Sequence, residues 1–185
     1  MSTGIYTLIM LNLCFMGLLP RIFFRSDGTF NLMWWLTSAP FFLATIVVSL
    51  NYFGVMPPMI DVTYLRIQEA LSAALSVLSV ALMSYTLGTH RRRLSLWHQT
   101  NDAPEEIVTY GAYKHIRHPF YASFLLSLLS TLVLSPGLAS AILLVYGWAI
   151  LNYTAAREEK NLSRSVFGDK YREYIARSGR FIPKF

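Results

Sequence analysis

Long apolar runs alternate with short polar stretches along most of this chain. A run of about 20 mainly apolar residues is what an α-helix needs to cross the hydrocarbon core of a bilayer. The pattern therefore predicts an all-α fold, a polytopic integral membrane helical bundle with about five transmembrane helices. Pro40 falls inside the second run and predicts a kink there. The predicted spans are residues 5–19, extended by 22–24, then 32–56, 65–87, 120–134 and 138–156.

Small residues recur at helical spacing in the third predicted span. They allow membrane helices to approach one another closely, so we expect this span to pack tightly against a neighbour. The residues are Ser72, Ser76 and Ser79, with Ala70, Ala73 and Ala74.

The segment after the fifth predicted span has a different pattern. Apolar residues recur at about helical spacing among charged ones from 157 to 177, which is typical of amphipathic helices on a membrane surface. We predict two such helices, interrupted at Gly168, as a cytoplasmic C-terminal cover. The tail at 180–183, Arg-Phe-Ile-Pro, then returns aromatic and apolar groups to the bundle. The recurring apolar residues are Leu162, Val166, Tyr171, Tyr174 and Ile175.

Composition agrees with a membrane protein. The 185 residues are 54% hydrophobic and only 14% charged, whereas a soluble domain carries roughly 25% charged residues. The net charge of +6 lies beside the apolar runs, so it fits anionic lipid headgroups better than nucleic acid. A lone cysteine, Cys14, excludes an internal disulfide and a multi-cysteine metal site.

Basic residues also predict an orientation. They follow the first, third and fifth spans, while the loops after the second and fourth spans are nearly free of Lys and Arg. The positive-inside tendency then predicts an outside N-terminus and a cytoplasmic C-terminus and active site. The basic residues are Arg21, Arg25, the His-Arg-Arg-Arg segment at 90–93, Arg157, Lys160, Arg164 and Lys170.

The stretch 110–121 places cations, imidazoles and tyrosines at the start of the fourth span. A charged group near lipid costs about 2.5–3.5 kcal/mol on insertion scales, so such groups often mark a functional site. The Ser-Pro-Gly turn at 135–137 predicts a tight antiparallel hairpin of the fourth and fifth spans. That hairpin brings Arg117 close to Glu158 and Glu159, and predicts a polar pocket facing the cytoplasm. Lys114 and Arg117 alternatively serve as ordinary cytoplasmic anchors.

The histidines do not predict a metal site. His115 and His118 lie three apart, and His90 and His98 lie eight apart. A zinc site needs three or four ligands with a supporting shell, and no acidic or cysteine ligand lies at suitable spacing nearby. We therefore expect no metal.

Several separated motifs, in order, resemble the isoprenylcysteine carboxyl methyltransferase family, within a wider group that includes the phospholipid methyltransferases. The resemblance covers residues 87–185. We expect a single membrane domain, 1–185, with an N-terminal helical hairpin region at 1–64 and a methyltransferase-like core at 65–185. The motifs are Val-Thr-Tyr-Gly-Ala-Tyr at 108–113, Arg-His-Pro-Phe-Tyr at 117–121, Glu158 with Glu159, Phe-Gly-Asp-Lys-Tyr at 167–171, Tyr174, and Arg-Phe-Ile-Pro at 180–183.

The resemblance implies an integral membrane methyltransferase that uses S-adenosylmethionine. Its implied acceptor is lipophilic and enters sideways from the bilayer, with the carboxylate of an isoprenylcysteine or a similar isoprenoid or lipid compound favoured. By the resemblance, Arg117 and Glu159 are catalytic or position the substrate, and which residues contact cofactor and which contact substrate stays open. The implied cofactor contacts are Tyr113, His118, Tyr121 and Glu158.

The chemistry of methyl transfer agrees with these residue types. A sulfonium cation favours aromatic faces, an amino acid carboxylate favours a cation or hydroxyl donors, and an ammonium favours a carboxylate. A carboxylate acceptor is already ionised at neutral pH, whereas an amine must first lose a proton. His118 or Glu159 is the candidate base if the acceptor is an amine or a thiol.

Other functions remain open from the sequence. The basic segment at 90–93 favours a lipid anchor, or recognition of a phosphorylated group by a phospholipid N-methyltransferase. A sterol-type membrane reductase with NADPH has a similar C-terminal pattern, but such proteins are usually longer. A non-catalytic scaffold that binds lipid headgroups is the third alternative.

Overall fold

A computed structural model describes residues 1–19, 28–56, 64–89 and 107–184. Across these ranges the fold is an all-helical membrane bundle, as predicted. An isolated β-bridge joins Ile116 and Gly179. A short 3₁₀ helix, Gly111–Lys114, precedes the fourth α-helix. The α-helices are α1 Thr3–Leu18, α2 Leu32–Tyr52, α3 Leu65–Thr89, α4 Pro119–Leu134, α5 Leu138–Ser163 and α6 Gly168–Arg177.

The apolar runs predicted most helix boundaries within a few residues. α2 ends at Tyr52 rather than at Met56, because the chain turns at Gly54, whose φ of +72° lies in the left-handed region that favours glycine. α4 begins with Pro119 at its first turn, where the missing N–H costs no helical hydrogen bond. The predicted extension at 22–24 lies outside the described residues.

The prediction of an amphipathic helix pair was wrong in one respect. α5 continues without a break to Ser163, so its charged end belongs to the membrane hairpin, and α6 is the separate amphipathic helix. Residues 157–163 contain no glycine or proline and include good helix formers such as Glu158, Glu159 and Lys160, so nothing in them ends the helix. Both glutamates therefore extend from the same rigid helix that crosses the bundle.

Three helices are long and apolar enough to cross a membrane: α2, α3 and α5. α1 and α4 are also apolar but have 16 residues each, or about 24 Å at the usual rise per residue. The chain is thus an integral membrane protein, and the count of five spans stays a prediction. So does its orientation, because Arg21, Arg25 and the segment 90–93 lie outside the described residues.

α4 is the central helix, with eleven of its sixteen residues buried. It packs along α3 through a seam of serines, which confirms the close packing expected of Ser72, Ser76 and Ser79. The Ser72 hydroxyl lies 2.9 Å from the carbonyl oxygen and from the hydroxyl of Ser130, and Ser79 donates to the Ser123 carbonyl at 2.7 Å. Because these hydroxyls bond across the interface, the seam fixes α4 against α3.

The chain after α6 folds back onto the loop before α4. We call residues 178–184 the C-terminal strap. The Arg117 N–H donates to the Gly179 carbonyl at 2.8 Å, the His118 N–H to the Arg180 carbonyl at 3.0 Å, and the Gly179 N–H to the His115 carbonyl at 3.0 Å. Phe181 packs against the hydrophobic core. This confirms that the tail returns to the bundle.

Candidate active site

The loop before α4 is held in place from two sides. On one side, Gly111 has a φ of +57° and approaches Thr89 so closely that a Cβ would lie 2.6 Å from the threonine side chain. The Thr89 hydroxyl also accepts a hydrogen bond from the Ala112 N–H at 3.3 Å. On the other side, the Tyr174 hydroxyl of α6 donates to the Tyr113 carbonyl at 2.5 Å. The loop is therefore fixed between α3 and α6.

The hairpin of α4 and α5 brings the predicted partners together. The turn between Leu134 and Leu138 is short, so the start of α4 lies opposite the charged end of α5. The Tyr121 hydroxyl donates to Glu158 Oε1 at 2.7 Å, and His118 Nε2 lies 3.2 Å from Glu159 Oε1. We call Arg117, His118, Tyr121, Glu158, Glu159 and Arg180 the polar cluster.

Glu159 is the most heavily paired member of the polar cluster. Its carboxylate accepts from Arg117 Nε at 2.9 Å and from Arg180 Nη2 at 2.5 Å and Nε at 3.2 Å. The residue is 7% exposed, so removing its charge from water is costly unless partners compensate. Two guanidinium groups and an imidazole supply that compensation.

Arg117 also ties other elements to the cluster. Besides Glu159, its Nη1 donates to the Ile175 carbonyl at 3.2 Å and to the Ser178 carbonyl. The side chain is 9% exposed. In this arrangement Arg117 joins the loop before α4 to α5, α6 and the C-terminal strap, and its side chain is not an open surface anchor.

Glu158 is more exposed to solvent than Glu159. Its side chain is 18% exposed, and its Oε2 lies 3.5 Å from His118 Nδ1. The His118 and Tyr121 rings are stacked, with centroids 5.4 Å apart and planes within 5° of parallel. The imidazole thus lies between two carboxylates, and only its protonated form donates from both nitrogens.

Tyr113 lies beside the polar cluster. Burial raises the pKa of its hydroxyl, and the neighbouring Tyr174 and Glu158 raise it further. Burial likewise raises the pKa of Tyr174, to about 12. Both phenols are therefore neutral near pH 7 and remain hydrogen-bond donors.

Arg180 is a member of the cluster whose role the sequence did not reveal. Besides Glu159, it donates to Asn152 Oδ1 at 2.6 Å, and the Glu159 hydrogen bonds raise the pKa of its guanidinium. Arg180 was visible in the sequence only as part of the Arg-Phe-Ile-Pro motif. Its partners are 21 and 28 positions away, so no local pattern predicts the contact.

An apolar cavity of about 670 Å³ lies beside the polar cluster. Side chains of α3, α4, α5, the loop before α4 and the C-terminal strap form its wall. The residues that line it are Leu78, Leu82, Ile116, Ala122, Leu125, Leu126, Leu129, Leu144, Val145, Trp148, Phe181, Ile182 and Pro183. Ala122 directly follows Tyr121 on α4, so the cavity and the cluster are adjacent.

Several residues considered in the sequence do not enter this picture. His90, His98 and the basic segment 90–93 lie outside the described residues. Within the described ranges, no group of three His, Cys, Asp or Glu side chains is arranged to hold a metal ion.

The comparisons with known proteins give one family match. Residues 77–164 match the model of the isoprenylcysteine carboxyl methyltransferase family. No curated protein and no solved structure matches the chain. The matched segment includes Tyr113 and every member of the polar cluster except Arg180. Residues 77–164 are therefore similar to the isoprenylcysteine carboxyl methyltransferase family, and that similarity supports a membrane methyltransferase.

Proposed function

We propose that the protein transfers a methyl group from S-adenosylmethionine to the carboxylate of a lipophilic acceptor, an isoprenylcysteine or a similar isoprenoid or lipid compound. One observation carries the proposal: a polar cluster with tyrosines, carboxylates and guanidinium groups lies directly beside an apolar cavity. A lipophilic acid needs both environments, one for its chain and one for its reacting end.

The cavity supports entry from the bilayer. Three of its lining residues are more than half exposed on the outer surface of the bundle: Leu78 at 53%, Val145 at 64% and Trp148 at 52%. On a membrane-spanning helix such a surface faces lipid. A hydrocarbon chain therefore reaches the cavity without crossing water.

The polar cluster has the groups that S-adenosylmethionine requires. We assign Glu158 to the amino group, because its carboxylate is negatively charged, lies beside Tyr121 and His118, and is partly exposed, at 18% of the side chain. Tyr113, His118 and Tyr121 form the aromatic and hydroxyl side of the site, which suits a sulfonium cation and an amino acid carboxylate. The charged, aromatic and hydroxyl groups of these side chains therefore suit the ammonium, sulfonium and carboxylate groups of S-adenosylmethionine.

Arg117 and Glu159 have a joint role in the proposal. S-adenosylmethionine supplies an activated methyl group and leaves as S-adenosylhomocysteine. The ionised acceptor needs no base, so the residues have to align it and exclude water. Arg117 places positive charge beside the acceptor carboxylate, and Glu159 holds the Arg117 guanidinium in position at 2.9 Å.

The surroundings of Glu159 favour a carboxylate acceptor over an amine. A phospholipid N-methyltransferase has to remove a proton from an ammonium group before transfer. Glu159 is a poor base because Arg117, Arg180 and His118 already satisfy its oxygens. The basic segment 90–93, which prompted the phospholipid alternative, lies outside the described residues. The family match favours neither a reductase nor a scaffold.

Ligand binding tests this proposal. Purified protein in detergent is heated with S-adenosylmethionine, S-adenosylhomocysteine or NADPH, because a ligand that binds only the folded state raises the apparent melting temperature. We expect stabilisation by the two sulfur compounds and not by NADPH. Stabilisation by NADPH alone would indicate a reductase, and no response to any of the three would favour a scaffold.

The acceptor and the orientation have separate tests. Radiolabelled S-adenosylmethionine should label N-acetyl-S-farnesylcysteine as a base-labile ester, whereas a base-stable product on phosphatidylethanolamine would indicate N-methylation. A reporter fused to the C-terminus should be active in the cytoplasm. A signal on the opposite side would overturn the proposed orientation.

A further inference from the structure

Phe181 belongs both to the apolar cavity and to the surroundings of the polar cluster. Its side chain lines the cavity, and its ring meets the His118 ring edge-on with centroids 6.2 Å apart. Among the described residues, the cavity lining includes Phe181 but not His118, Glu158 or Glu159. The phenyl ring therefore stands where the apolar space gives way to the polar cluster.

The backbone that carries Phe181 is firmly held. The preceding residue, Arg180, contacts Glu159 and Asn152 through its side chain and accepts from the His118 N–H through its carbonyl. Pro183, two residues later, has a fixed φ. These contacts therefore fix the position of the Phe181 ring beside His118.

The two ends of the cavity impose different restrictions. Its outer rim, with the exposed Leu78, Val145 and Trp148, opens on the lipid-facing surface, so surplus length of a hydrocarbon chain extends into the bilayer. At the inner end an acceptor has to place its reacting group past an aromatic ring on an anchored segment. The inner end therefore restricts bulk near the reacting group, not chain length.

We propose that Phe181 is a specificity-determining residue whose ring forms the neck between the apolar cavity and the polar cluster, limiting the bulk that an acceptor carries beside its carboxylate. This inference rests on the proposed function, since it assigns the acceptor's chain to the cavity. It predicts that a slim acid is preferred to one with a large substituent next to the carboxylate.

The test compares two acids that share one farnesyl chain. S-farnesylthiopropionic acid is slim beside its carboxylate, and N-benzoyl-S-farnesylcysteine carries an aromatic amide there. Binding of each acid and kcat/KM for its methylation are measured in the wild type, in Phe181→Ala and in Phe181→Leu. Phe15→Ala, which removes the same ring from an exposed position on α1, is the matched control.

We expect the wild type to prefer the slim acid and Phe181→Ala to reduce that preference about tenfold, because small changes in an apolar pocket alter discrimination by factors of this order. Phe181→Leu should lie between them, and Phe15→Ala should match the wild type. An unchanged preference in both Phe181 variants, with wild-type affinity for S-adenosylhomocysteine, would overturn the inference.

The design separates this inference from the proposed function. If the wild type binds the acids but methylates neither, the proposed function fails, and the binding preference alone decides the role of Phe181. If the wild type binds neither acid, the assignment of the cavity to an acceptor chain is wrong, and the inference fails with it.

Discussion

Glu158 and Glu159 are neighbours on α5, but their surroundings differ. Glu159 is enclosed by Arg117, Arg180 and His118, and its carboxylate is fully paired. Glu158 meets Tyr121 and His118 and is twice as exposed, at 18% against 9% of the side chain. We propose from this difference that Glu159 holds the site together and that Glu158 binds the ligand.

His118 connects these two sides. It is the residue before α4, and its two ring nitrogens face different glutamates, at 3.2 Å from Glu159 and 3.5 Å from Glu158. A ligand that binds Glu158 is thus linked through one imidazole to the ion pairs around Glu159. The comparison becomes testable because the same substitution can be made at either glutamate.

Glu159→Gln should have the largest effect. It removes the charge that compensates two guanidinium groups, and breaking a buried ion pair from one side costs about 3–5 kcal/mol of folding free energy. We expect a clear fall in thermal stability in detergent and loss of methyl transfer. Glu158→Gln is the matched control and should melt near the wild type. Equal melting temperatures for the two variants would contradict the structural role of Glu159.

Arg180→Ala should come next, because it releases the C-terminal strap from Glu159 and Asn152. The backbone amides of Arg117, His118 and Gly179 bond across the strap, so their hydrogen exchange should accelerate by at least about tenfold, the factor that corresponds to a loss of about 1.4 kcal/mol of local stability. Methyl transfer should fall with it.

Two variants sharpen this prediction. Arg180→Lys keeps the charge but loses the planar fork that reaches Glu159 and Asn152 together, so it should restore only part of the protection. Lys184→Ala removes another strap contact, to the Ala176 carbonyl, but none to Glu159. Faster exchange in Lys184→Ala equal to that in Arg180→Ala would show that Arg180 has no special role.

The contrast between α5 and the strap also explains what the sequence predicted and what it missed. Apolar runs and the Ser-Pro-Gly turn are local signals, and they predicted the bundle, the hairpin and the approach of Arg117 to the glutamates. The charged end of α5 resembles a separate surface helix because amphipathic patterns do not show where one helix ends. The Arg180 contact depends on how the strap aligns with residues 115–118, a long-range pairing that no local pattern determines.

Glu158→Gln should weaken cofactor binding and leave the fold intact. The amide keeps the shape of the side chain but loses the negative charge assigned to the cofactor's ammonium group, and a hydrogen bond to a charged group contributes about 1.5–3 kcal/mol. We expect the Kd for S-adenosylhomocysteine, measured by calorimetry, to rise by at least about tenfold. An unchanged Kd would mean that the cofactor does not use this carboxylate.

Tyr121→Phe should have the smallest effect and tests how Glu158 is oriented. The change removes the 2.7 Å hydrogen bond to Glu158 Oε1 but keeps the ring that stacks on His118. A single hydrogen bond contributes about 1 kcal/mol, so the Kd for S-adenosylhomocysteine should rise roughly fivefold. Tyr153→Phe, at an exposed position on α5, is the control and should change nothing.

Combining this change with Glu158→Gln decides between two roles of Tyr121. If the tyrosine acts through Glu158, the double variant should bind S-adenosylhomocysteine no more weakly than Glu158→Gln alone. The Tyr121 hydrogen bond then has no carboxylate left to orient, so its loss adds nothing. If the two losses add, the Tyr121 hydroxyl contacts the cofactor itself, and the open side of the cluster includes both residues.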